Sequence, residues 1–141
     1  MPTFDVDGEE IAAFEFDDRY FFKQYFDEND LFQQLEKYYN SDKYRFEVPD
    51  REVSNVSQIL DNYFYDLETI ENYNKFCVVK DRQLDSSEIL RNAVITHRQG
   101  KYEIFLMKDQ LSASRAIEKG ATPIQKSDLN LDQIQWEIDG S

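Results

Sequence analysis

Two Lys-Asp dipeptides, Lys80-Asp81 and Lys108-Asp109, are the residues of this 141-residue sequence best suited to small-molecule chemistry. They sit in an internal echo: VVKDRQLDSSEIL at 78–90 resembles LMKDQLSASRAI at 106–117, offset by 28 residues, about one β-α unit. If strands near 76 and 102 pair in parallel through a helix at 86–98, all four residues gather at one sheet edge. Ligands of α/β folds bind at that edge. Ammonium groups beside helix N-termini would there hold a small anion such as phosphate or carboxylate. Neither copy contains a Gly-rich turn that admits pyrophosphate, and both Asp residues serve equally well as helix caps or strand-end turns.

Other chemistry is thinly provided. The one histidine, His97, is expected at a helix end beside Arg98, where the helix dipole suffices to explain it, and no nucleophile stands near it in sequence. One His and one Cys do not make a zinc site of ordinary ligand count. Asp5, Asp7 and Glu9 alternate, and Asp27, Glu28 and Asp30 cluster, but no twelve-residue calcium loop follows them. No cofactor, metal or catalytic residue is therefore assigned, and the reading favours a protein that is not an enzyme.

Charge is distributed unevenly. Residues 1–72 carry 19 Asp and Glu against 6 Lys and Arg, whereas 73–141 carry 10 of each, so the net charge of -13 resides in the first half. That half also holds 16 of the 20 Phe and Tyr residues. Such a surface repels nucleic-acid phosphates and anionic lipid, and no basic stripe offsets it. The expected binding face is formed by Asp17, Asp18, Asp27, Glu28, Asp30, Glu36, Asp61, Asp66, Glu68 and Glu71, together with some of the rings of Tyr20, Tyr38, Tyr39, Tyr63 and Tyr65, which are more than one apolar stripe absorbs. It suits a protein partner with a basic or aromatic surface, or a second copy of the chain. A DNA mimic, carrying carboxylates at phosphate-like spacing, is the alternative use of the same acids.

The elements that must position these residues read as follows. A hairpin is expected across Asp7-Gly8, with arms at 3–6 and 11–16. A helix capped by Asp17 or Asp18 carries Phe21, Phe22, Tyr25 and Phe26, and a second, capped by Asp30, carries Leu31, Phe32, Leu35, Tyr38 and Tyr39. A strand at 44–48 is stopped by Pro49, and Asp50 opens a helix with Val53, Val56, Leu60, Phe64 and Leu67 on its buried face. The apolar run 76–79 reads as a strand. Asp85 and Glu88 have capping-box spacing before a helix bearing Ile89, Leu90, Ala93 and Val94. A strand at 102–107, a helix opened by Asp109 or Ser112 and ended by Gly120, and short strands at 121–124 and 134–138 complete the chain.

These elements predict one α+β domain spanning 1–141, with a mixed sheet of five to seven strands, about five helices and a β-α-β-like second half. The amino terminus lacks the charge and apolar pattern of a signal peptide, no run of about 18 apolar residues occurs, and Cys77 reads as a reduced buried thiol. A cytoplasmic location is expected. The segments FDDRYFFKQYFDENDLF, YRFEVPD, FCVVKD, FLMKD and GATPI together resemble small uncharacterised cytoplasmic proteins of halophilic archaea. That resemblance implies an archaeal setting in which the acids keep the protein soluble in salt; it implies no activity and no functional residue.

Overall fold

The computed structural model describes residues 9–82, 86–130 and 134–136. The chain divides into two compact units, Met1–Glu71 and Asn72–Ser141, a boundary one residue from the break in charge composition. The α+β class is as expected, with four α-helices among the described residues rather than about five.

In the first unit the strands are β1 (Glu9–Phe16), β2 (Arg19–Phe22), β3 (Tyr39–Asn40), β4 (Arg45–Pro49) and β5 (Tyr65–Ile70). They form one mixed sheet in the order β3-β4-β2-β1-β5, antiparallel except for the parallel pair β1 and β5. Helices α1 (Asn29–Leu35) and α2 (Val53–Asp61) cover one face. Alternation sends Ile11, Ala13, Phe22, Phe46 and Val48 to that face, where they bury against Leu31 and Leu35 of α1 and Val56 and Leu60 of α2. Phe46 is the hub, stacked on Phe22 at 5.0 Å and edge-on to Phe26 and Phe32. On the opposite face the Arg19 and Arg45 guanidiniums lie over the buried Phe21 ring. Both are bonded to Glu47, which also accepts from Asn40.

Three expectations for this unit change. The Asp7-Gly8 hairpin lies outside the described residues; the hairpin that is seen joins β1 to β2 through Asp17 and Asp18, both at positive φ (52° and 62°). Asx residues tolerate that left-handed geometry, which fits the twist of a two-residue hairpin turn. The helix expected over Phe21 and Phe22 is therefore strand β2, since adjacent Phe rings buried on opposite faces satisfy a sheet as well as a helix. Helix α2 stops at Asp61 instead of reaching Leu67: Phe64 takes φ 66°, and Tyr65, Leu67 and Thr69 alternate along β5.

The second unit contains β6 (Cys77–Asp81), α3 (Ser87–Arg91), β7 (Ala93–Gln99), β8 (Tyr102–Met107), α4 (Gln110–Glu118) and β9 (Thr122–Pro123). Its sheet, β7-β8-β6-β9, is antiparallel throughout. Val78, Phe105 and Met107 pack against Ile89, Ala113 and Ala116. The β-α-β order is present, but β6 and β8 do not pair in parallel. The five-residue α3 gives way at Ala93 to a strand, and a tight turn with Gly100 at φ 60° folds β7 onto β8. A register shift between Ala93 and Ile95 lets Ala93, Val94 and Ile95 all be buried, which accounts for the helix-like run of apolar residues there. His97 consequently stands on a strand, its Nδ1 buried and without a hydrogen-bond partner among the described residues. Asp85 of the expected capping box lies outside the described residues, as do 137–138 of the expected last strand, whose residues 134–136 are described and form no strand. Asp109 caps α4 as expected, accepting from the Ser112 N–H at 2.7 Å.

Candidate functional site

The antiparallel register separates the two Lys-Asp pairs. Lys80 stands opposite Glu103 at the start of β8, while Lys108 follows its end. Five residues at about 3.3 Å each put the pairs roughly 17 Å apart along the strand. Lys80 and Asp81 line a cavity of about 400 Å³ with Tyr102, Thr122, Lys126 and Asp128, in which two cations face two carboxylates. Lys108 instead bonds Asp109 at 3.0 Å, and Asp109 is occupied as the α4 cap. Burial raises the Asp109 pKa, but the bonds from Ser112 and Lys108 outweigh it and hold the carboxyl below its ordinary value. Four residues expected to form one site thus belong to two places with different local roles.

The ten nominated carboxylates also divide. Asp17 and Asp18 form the β1-β2 turn, and Glu71 follows β5 at the same end of the sheet, where Tyr20 senses Glu15, Asp50 and Glu71. Burial first, then these charges, raises the Tyr20 pKa. Asp66 and Glu68 join Glu10 on the sheet face away from α1 and α2, their carboxylate oxygens within 4.8 Å of one another. Such a trio offers oxygen ligands of the type a divalent cation takes, but all three side chains are exposed. Glu36 is exposed on the turn after α1. The DNA-mimic reading needs one continuous series of acids, and this division does not supply it.

Asp27, Glu28, Asp30 and Asp61 converge at the remaining end of the first sheet. Strand direction explains the convergence. The starts of β1, β4 and β5 and the end of β2 all lie there, so the segments just outside those strands share one pole. Tyr63 Oη donates to Asp30 at 2.6 Å and accepts from Gln34 at 3.1 Å. Its bond holds the Asp30 carboxyl below its ordinary pKa and raises that of the phenol. Tyr65 Oη donates to Glu28 at 3.1 Å while its ring meets Phe26 edge-on. Burial, then Glu28, then the charges of Glu9 and Asp27 push the Tyr65 phenol up to about 12. The Phe64 N–H donates to the main-chain carbonyl of Asp61 at 3.1 Å, closing the turn that places Asp61 just ahead of β5.

Among the described residues of the first unit, the large hydrophobic side chains that remain exposed are Tyr25, Tyr44 and Phe64, at 57%, 63% and 64%. All three belong to this pole: Tyr25 lies three residues past β2, Tyr44 immediately before β4 and Phe64 immediately before β5. From β4 to β5 is three strand spacings, and the register sets Tyr44 level with Leu67, three residues along from Phe64, so the two main chains stand roughly 17 Å apart. Tyr44 and Phe64 also adopt left-handed backbone, at φ 56° and 66°, which costs an L-residue roughly 1–2 kcal/mol. The sequence reading expects exposed rings among Tyr20, Tyr38, Tyr39, Tyr63 and Tyr65, yet these are buried or half-buried. The signal for the exposed ones was their position beside turn residues, SDK before Tyr44 and DN before Tyr63-Phe64.

No protein-family model matches the chain, and neither a curated protein nor a solved structure is significantly similar to it. No described helix is long and apolar enough to cross a membrane.

Proposed function

We propose that this chain acts by protein–protein interaction, through an acidic and aromatic pole of its first unit built from Tyr25, Asp27, Glu28, Asp30, Tyr44, Asp61 and Phe64. One observation carries the reading: the described exposed large hydrophobic residues of that unit are confined to the end of the sheet where the acidic residues Asp27, Glu28, Asp30 and Asp61 fall. Scattered surface apolar residues need no explanation, but a group of rings bordered by charge is the composition of a binding patch. Two of the rings are held on left-handed backbone with little burial in return.

The partner is a protein with a basic surface and apolar recesses for the rings. A second copy of the chain carries the same sign of charge and is repelled, so a basic partner is the better match. The carboxylates steer approach, and the rings supply the contact area that resists dissociation.

Affinity capture at low and high salt, comparing the wild-type chain with a Tyr25→Ser, Tyr44→Ser, Phe64→Ser variant, tests the proposal. The control is Asp17→Asn with Asp18→Asn, which removes charge at the opposite end and keeps turn-compatible residues. A protein retained by wild type and control but lost from the ring variant is the expected result. Equal retention by all three chains rejects the pole as the site.

A further inference from the structure

We infer that the outer edge of β5 receives an extended, basic segment of a partner protein as an added strand, at a place separate from the aromatic pole. β5 closes one side of the first sheet: it pairs with β1 alone, in unbroken parallel register from Glu9↔Tyr65 to Phe14↔Ile70. Every second residue of an edge strand turns its N–H and C=O outward, and such groups are a template for another chain. No described residue bonds the outward groups of β5.

The other three sheet edges are blunted by familiar means. β3 and β9 are two residues long, and β9 ends in Pro123. β7 carries the register shift between Ala93 and Ile95 and the exposed Arg98. β5, of sequence YDLETI, contains no Pro, Gly, Lys or register shift. Its one deterrent is acid. Asp66 and Glu68 stand beside Glu10 with carboxylate oxygens within 4.8 Å of one another, and no described cation pairs with any of the three.

Those charges select the occupant. Two copies joined through β5 would set acids opposite acids, which is destabilising. An incoming strand with Lys or Arg on that face relieves the repulsion within the trio instead. On the helix-covered face Tyr65 and Leu67 are half-buried against the core, leaving apolar surface for the alternate side chains of the same strand. The segment that fits therefore alternates basic and apolar residues, with main-chain bonds supplying affinity and side chains selectivity.

The test uses the isotopically labelled full chain, titrated with a short blocked peptide of alternating lysine and valine and followed by amide NMR. Saturable shifts along residues 65–70 are expected, with slowed hydrogen exchange at the outward N–H groups of β5. The same peptide N-methylated at every amide keeps its charge, loses its main-chain donors and should bind about tenfold or more weakly. Asp66→Asn with Glu68→Gln, both at exposed positions, should weaken binding several-fold and reduce its salt dependence. Tyr25→Ser with Tyr44→Ser, at the pole, should bind the peptide like wild type; loss of binding there would assign the peptide to the pole and overturn the inference. Equal binding of the methylated peptide, or an Asp66→Asn, Glu68→Gln chain that binds like wild type, would overturn it too.

Discussion

Replacing Glu47 by Ala separates two opposed expectations for a chain this acidic. Self-repulsion at net charge -13 favours loss of any carboxylate, by less than about 1 kcal/mol for an exposed group. Glu47 is different because its side chain is only 14% exposed and accepts three bonds at 2.9 Å, from Arg19 Nη1, Arg45 Nε and Asn40 Nδ2. The Arg45 side chain it serves is 2% exposed and lies 4.7 Å from the Phe21 ring centroid. Removing the carboxylate strands that guanidinium in a low-dielectric layer, and breaking a buried pair from one side costs about 3–5 kcal/mol. Arg45 has other interactions, which places the expected loss at the lower end, about 3 kcal/mol. Urea unfolding with an unchanged m-value is the assay. Glu68→Ala is the matched comparison, since Glu68 is exposed beside Glu10 and Asp66; it should be neutral or slightly stabilising, within about 0.5 kcal/mol. A Glu47→Ala chain within 1 kcal/mol of wild type, or shifted in the same direction as Glu68→Ala, would refute the buried network as a determinant of stability.

Asp109→Ala removes the α4 cap and should destabilise the protein by about 1 kcal/mol at neutral pH, measured by the same unfolding assay. Because the folded pKa of Asp109 is lowered, its contribution is present above the unfolded value near 4 and fades as the pH falls through the folded value. Burial pushes the Cys77 thiol far up, so an alkylating reagent should label it only upon unfolding, as read by mass spectrometry. Tyr65 should form phenolate near pH 12, followed by ultraviolet absorbance, and earlier in Glu28→Gln. Between its unfolded value near 10 and that folded value the native state keeps a proton the unfolded chain has released, so this group lowers stability as pH rises through the window.

Features with strong local chemistry were legible in the sequence. Pro49 ends β4, Val53, Val56 and Leu60 face the core from α2, Asp109 caps α4, and Gly120 follows it at φ 106°. Less legible were places where two periods agree. Phe21-Phe22 and Ala93-Val94 are buried pairs that suit either a helix or a two-sided sheet, and Phe64 falls by coincidence on the stripe of the helix that ends before it. Strand direction had no local signal at all. The echo around Lys80 and Lys108 suggested a parallel crossover, whereas the short α3 and the Gly100 turn impose antiparallel pairing and pull those residues apart. The acids posed the same difficulty, since membership in a common patch depends on which strand ends coincide.

The interaction pole can be tested most directly by placing a photo-crosslinking residue at position 64 and, in a separate chain, at position 17, at opposite ends of the first sheet. In native lysate the account predicts a discrete protein adduct from position 64, weakened by added lysine-rich competitor, and none from position 17. Equal adducts from both positions, or an adduct from position 17 alone, would contradict it.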